Sequence, residues 1–156
     1  MRIERVTEAA AVHAAVDLFD GPPLQAATER FLAEPGHHLV FAYDDGGRAV
    51  GMISGVQTTH PDKGTEMFLY ELSVLPGARR RGVATALVHA LREMARDLGC
   101  YGMWVGVDPG NTAALGTYRG AGADEEETFV LFNWELTRDQ AELGSRAAGR
   151  SDGGQT

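Results

Sequence analysis

Residues 74–84, Val-Leu-Pro-Gly-Ala-Arg-Arg-Arg-Gly-Val-Ala, put the end of an apolar strand, a tight turn of arginines and the start of an amphipathic helix in immediate succession. That order predicts an anion site. The backbone N–H groups of Arg80, Arg81, Gly82, Val83, Ala84 and Thr85 would point outward without intrahelical acceptors, and the helix dipole adds positive potential where they converge. Gly82 permits close approach of a ligand to the backbone, and Ala84 keeps the first helical turn open. The predicted guest is a pyrophosphate. Two other phosphate loops are excluded by spacing: the single lysine, Lys63, lies outside the loop, and only one of the three glycines of a dinucleotide fingerprint is present. Taken alone, the run also reads as an ordinary strand-to-helix turn with solvated arginines.

What remains is Val-x-Pro-x-x-Arg-x-x-Gly-x-Ala, held by Val74, Pro76, Arg79, Gly82 and Ala84. It resembles the acetyl-CoA pyrophosphate loop of the GCN5-related N-acetyltransferase (GNAT) superfamily. A second segment, from Asn111 to Gly122, resembles the Asn-x-x-Ala-x-x-x-Tyr-x-x-x-Gly run that follows the fifth strand in the same superfamily, with Asn111, Ala114, Tyr118 and Gly122 in register. Two segments at the expected separation identify the family far more specifically than either one.

The chain of 156 residues has the length of one domain, with enough apolar residues for a core around a sheet. A formal net charge of -8 argues against nucleic acid or an anionic membrane as partner and suits a cationic substrate, although solubility alone also explains an acidic excess. The single cysteine, Cys100, excludes a disulfide framework, and the histidines show no metal spacing. Residues 1–7 lack a signal pattern and no apolar run reaches membrane length, so the expected location is cytoplasmic.

Periodicity predicts a short strand over Arg2–Val6, a helix capped by Thr7 and running to Phe19, and a second helix over Leu24–Ala33. Strands over His38–Tyr43 and Arg48–Thr58 are joined by the hairpin signal Asp44-Asp45-Gly46-Gly47. Glu66–Leu75 reads as a strand buried on both faces. A helix from Gly82, stopped by Gly99, is followed by a strand over Tyr101–Val107, a helix over Asn111–Ala121 and a final strand over Thr128–Leu136. Residues 137–156 lack apolar periodicity and are expected to be disordered, leaving 1–136 as the domain. The order implies an α/β fold, a mixed sheet with helices on both sides. The resemblance adds a bulged fourth strand that opens the acetyl-CoA cleft.

Acetyl transfer from a thioester to an amine requires a hydrogen-bond donor for the carbonyl oxygen, a base for the ammonium proton and an acid for the departing thiolate. By the resemblance, acetyl-CoA is the co-substrate, with no metal, and the backbone groups of Leu72 and Val74 hold the pantetheine arm and polarise the thioester. Glu71 sits in a strand otherwise fit for burial, where a carboxylate is costly without a partner or a task. It is the candidate base and a contact for a cationic acceptor; a structural ion pair with an arginine is the other reading. Tyr70 flanks the acceptor, or is simply a strand aromatic. Tyr118, two turns beyond Asn111 on the same helix face, is by resemblance the acid, or else a core tyrosine. Asn111 caps its helix and, in the family, contacts the pantetheine arm. Glu125 and Glu126 belong to an acidic run that either lines the acceptor mouth or is a solvated turn.

Within the superfamily the texture is closest to the small type I aminoglycoside 3-N-acetyltransferases. Ala49-Val50-Gly51, Phe68–Val74, Arg80–Leu87 and Glu125-Glu126 carry that likeness. The strand acid is Glu71 where that group has Asp, and Leu115-Gly116-Thr117 replaces a more apolar turn. Three functions follow as expectations: acetylation of an aminoglycoside, at its 3-amino group; acetylation of another small amine or of a peptide amine; and acyl-CoA binding without catalysis. A homodimer is a further expectation from the family.

Overall fold

The computed structural model describes residues 1–136. A five-stranded sheet runs in the order β1-β2-β3-β4-β5, with β1 at Arg2–Arg5, β2 at His37–Tyr43, β3 at Ala49–His60, β4 at Gly64–Val74 and β5 at Met103–Trp104. The first three junctions are antiparallel and the last, between β4 and β5, is parallel, so the sheet is mixed as the sequence predicts. Its helices are α1 (Ala9–Ala14), α2 (Gln25–Ala33), α3 (Val83–Asp97) and α4 (Thr112–Gly120).

Strand alternation divides the core. On β2, Val40 and Ala42 join Ile53, Met67 and Leu69 beneath Leu87, Val88 and Leu91 of α3. Leu39 and Phe41 point to the other face and pack with Met52, Val12, Ala15 and Leu18. Helix α3 can lie close to the sheet because β3 presents glycine beneath it. A Cβ at Gly51 would meet Val83 at 2.8 Å, and one at Gly55 would meet Leu91 and Met67 at 2.8 Å. This contact holds the N-terminus of α3 at the end of β4.

Several expectations need correction. The helix expected from Thr7 to Phe19 is broken: α1 ends at Ala14, a 3₁₀ turn covers Val16–Leu18, and the cap position is Glu8, which makes no side-chain cap bond. Without a capping oxygen and with only six residues, α1 has little beyond core contacts to hold it. Strand β4 is not buried on both faces. Met67 and Leu69 are in the core, but Tyr70 is 64% exposed, because aromatic residues on the outer face make the run look uniformly apolar. The strand expected over Tyr101–Val107 shrinks to Met103–Trp104.

The final strand expected over Thr128–Leu136 is absent among the described residues. Residues from Asp124 onward form a unit separate from Met1–Ala123, and positions 124–136 contain no helix or strand. Alternating apolar residues make a strand only where a neighbouring backbone accepts the ladder, and β5 is the sheet's edge. The disorder expected over 137–156 lies outside the described residues.

Candidate active site

β4 and β5 are paired at only two positions, Met67 with Met103 and Phe68 with Trp104. Beyond them the strands part, so among the described residues β4 from Leu69 to Val74 has β3 on one side and no strand on the other. The parting coincides with a bulge. Glu71 pairs with Ser54 and Leu69 with Gly55, which leaves Tyr70 as the extra residue. Past the bulge, the N–H of Leu75 donates to Val50 O at 2.9 Å, toward β3. Backbone groups alternate sides along a strand, so Leu72 and Val74 turn theirs to the open edge. Their side chains pack on the core. The two residues singled out for their backbone groups thus present those groups to the cleft.

β4 runs into the arginine turn. The Arg79 guanidinium donates through Nε to Val74 O at 3.0 Å, tying the turn to the strand end. Arg80 then takes φ +61°, and Gly82, the cap residue of α3, takes φ +79°. A non-glycine residue in this region costs about 1 kcal/mol, held here by the elements on either side. Alternating left-handed residues curl successive N–H groups into one concavity, a geometry that suits anions. Among the described residues, no backbone carbonyl accepts from the N–H groups of Arg80 through Thr85. Arg80 and Arg81 are exposed, Val83 is buried, and Ala84 and Thr85 are half-buried. Unpaired amides, a helix N-terminus and three arginines fit the diphosphate of acetyl-CoA.

Glu71 is half-buried, and among the described residues it has no ion pair. The structural ion pair weighed from the sequence is not formed there. Burial pushes its carboxyl above the usual range, and the nearby Asp20 carboxylate adds to the rise. Tyr118 is half-buried against the core, and burial raises its phenol as well, keeping it protonated through neutral pH. Asn111 caps α4 as expected, its Oδ1 accepting from the Ala114 N–H at 3.0 Å.

Glu125 and Glu126 are exposed and lie in the unit beyond Ala123. At the β3–β4 turn, His60 and Asp62 pair with each other on the surface. No cluster capable of holding a metal occurs among the described residues, and none of their helices is long and apolar enough to cross a membrane. A hollow of about 670 Å³ beside the loop is lined by residues including Asp17, Asp45, Arg48 and Arg81, but not by Glu71 or Tyr118.

Sequence reasoning missed Asp20 and the contact between Phe68 and Trp104. Asp20 lies fifty-one positions before Glu71 in the chain, and no spacing rule links a residue of the α1–α2 connection to one on β4. The ring contact follows from the parallel register of two strands separated by a whole helix, which only the folded sheet reveals.

Among curated proteins, none matches the sequence. Solved structures share the fold. An aminoglycoside acetyltransferase, meta-AAC0020, from an uncultured soil metagenomic sample, in complex with sisomicin, superposes with a TM-score of 0.80 at 20% identity, over 87% of this chain and 96% of that one. The aminoglycoside 6'-N-acetyltransferase AAC(6')-IG from Acinetobacter haemolyticus gives 0.71 at 23% identity, over 88% and 100%. AAC(6')-Iy bound to the bisubstrate analogue CoA-S-monomethyl-acetylneamine gives 0.74 at 24% identity, over 86% and 98%. Residues 8–123 match the model of the acetyltransferase (GNAT) family. The chain belongs to the GNAT family and is an acetyl-CoA-dependent N-acetyltransferase.

Proposed function

We propose that this acetyltransferase acts on an amine of a small polycationic acceptor of the aminoglycoside class, in the cytoplasm. The observation that carries the reading is Glu71: a half-buried carboxylate without an ion pair among the described residues, beside the bulge where β4 leaves β5. It can take the proton of an arriving ammonium, directly or through a water, and its negative charge holds a cation in place. The 3-amino group is the position suggested by sequence texture. Aminoglycoside acetyltransferases of the 6' type among the structural neighbours make the 6'-amine the competing position.

In this reading the amine nitrogen, once neutral, attacks the thioester carbonyl. The backbone N–H groups of Leu72 and Val74 stabilise charge on its oxygen. As the C–S bond breaks, the Tyr118 hydroxyl gives its proton to the thiolate; the second proton lost by the acylated nitrogen restores the Tyr118 hydroxyl, and the proton first taken by Glu71 leaves to solvent. Asn111 holds the pantetheine arm, Tyr70 flanks the acceptor, and the Arg79–Thr85 turn binds the diphosphate.

Thiol release with acetyl-CoA, measured against sisomicin, spermidine and a peptide amine, tests the reading. Turnover with sisomicin, and its loss by a factor of about 10² to 10⁴ in Glu71→Gln, is the expected result. Turnover confined to spermidine or the peptide would discard the substrate class and keep the chemistry. NMR of the acetylated product then assigns the amine.

We further infer a homodimer. Phe129, Val130, Leu131, Phe132, Trp134 and Leu136 are each between 58% and 80% exposed. Six large apolar side chains exposed within eight residues are the surface such a dimer would cover.

A further inference from the structure

On the face of β4 and β5 opposite α3, three aromatic side chains stand together at the point where the strands part. Phe68 and Trp104 stack, with ring centroids 4.3 Å apart and planes at 27°. Tyr70 meets Phe68 edge-on, at 5.8 Å and 86°. Tyr70 is 64% exposed and Trp104 47% exposed. Neither ring is needed for the core, which Met67 and Leu69 supply on the other face of the same strand. Helix α1 and the 3₁₀ turn after it cover β2 and β3 on this face, and leave β4 and β5 open.

Carboxylates border the rings. Glu71 follows Tyr70 directly, with the Asp20 carboxylate close enough to raise it. At the other end Glu66 accepts a hydrogen bond from the Tyr101 hydroxyl at 2.8 Å. A flat aromatic surface edged with negative charge suits a ring that is apolar on its face and cationic at its rim. An amino sugar has that form: the C–H groups of a pyranose lie on aromatic rings, while its ammonium groups reach the carboxylates or the face of an indole. A linear polyamine has the charge without the ring.

We propose that Trp104, Phe68 and Tyr70 form the platform on which the sugar ring of the acceptor lies, and that this platform makes the enzyme prefer cyclic over linear polyamines. The proposal rests on the amino-sugar reading above. Its test must therefore separate the two. The protein has two tryptophans, so Trp134→Phe leaves Trp104 as the sole indole reporter. Titration of that variant with sisomicin, without acetyl-CoA, is expected to change its fluorescence saturably, and spermidine at equal charge is expected to leave it unchanged. In turnover, Trp104→Ala should raise the sisomicin KM about tenfold with kcat within a factor of about three, spare the KM of acetyl-CoA, and be rescued by Trp104→Phe.

An unchanged sisomicin KM in a folded Trp104→Ala enzyme that still acetylates sisomicin overturns the platform and leaves the substrate reading intact. If sisomicin is not acetylated, the substrate reading fails, and the fluorescence titration alone judges the platform. An indole that neither sisomicin nor acrylamide can quench is covered by protein, and that result also overturns it.

Discussion

In the proposed mechanism Glu71 is the base, and its environment fixes the direction of two pH effects. Because burial and Asp20 lift its carboxyl above the usual range, the base is protonated, and idle, to a higher pH than an ordinary glutamate would be. The acid limb of the kcat/KM profile is expected at that raised value. Asp20→Asn should move the limb to lower pH by removing the like charge, whereas Glu71→Gln should remove turnover itself. Stability carries the same signature. A carboxyl whose folded pKa exceeds its unfolded one favours the folded state below the unfolded pKa, and that contribution is lost as pH rises through the folded value. Thermal melts across that window should therefore show stability falling with rising pH in the wild type, and a flatter response in Glu71→Gln. With Tyr118 as the proposed acid, the basic limb is expected from its phenol, which burial raises so that it stays protonated through neutral pH.

At the scale of elements, the site depends on how closely α3 rides on β3. Gly55→Ala would drive a methyl into Leu91 and Met67, and Gly51→Ala would do the same against Val83. We expect Gly55→Ala to cost about 1–3 kcal/mol, read as a lowered urea midpoint. A shift in α3 would also displace the amides of its first turn, so the acetyl-CoA KM should rise in the same variant. This is also the scale most legible in the sequence. The strand–turn–helix around Gly82, the stop at Gly99 and the cap at Asn111 were all legible, because each is a local preference of one or two residues. What escaped was non-local: the stack of Phe68 on Trp104 exists only in the register of β4 with β5, and the closeness of Asp20 to Glu71 only in the folded chain. The expected strand over Thr128–Leu136 failed for the same reason, since its alternation says nothing of where a ladder partner lies.

At the scale of the whole molecule, a chain of net charge -8 displays six large apolar side chains between Phe129 and Leu136. The charge keeps such chains apart at long range, and salt screens it. If a second copy covers the strip, light scattering should give twice the chain mass, and the dimer should strengthen with added salt. Trp134→Glu, which puts a charge into the covered strip, should yield monomers that remain folded. A monomer at every salt concentration would remove the inferred dimer.

The parting of β4 from β5 also bears on the order of events in a catalytic cycle. In the proposed mechanism one opening serves both reactants, and the chain's only thiol, on Cys100, is pushed up by burial rather than activated as a nucleophile. With Cys100 not poised to carry the acetyl between half-reactions, direct transfer is the expectation, and donor and acceptor then have to occupy the enzyme together. Initial-velocity lines at varied acetyl-CoA and acceptor should accordingly intersect; parallel lines would mean that an acetylated protein stands between them.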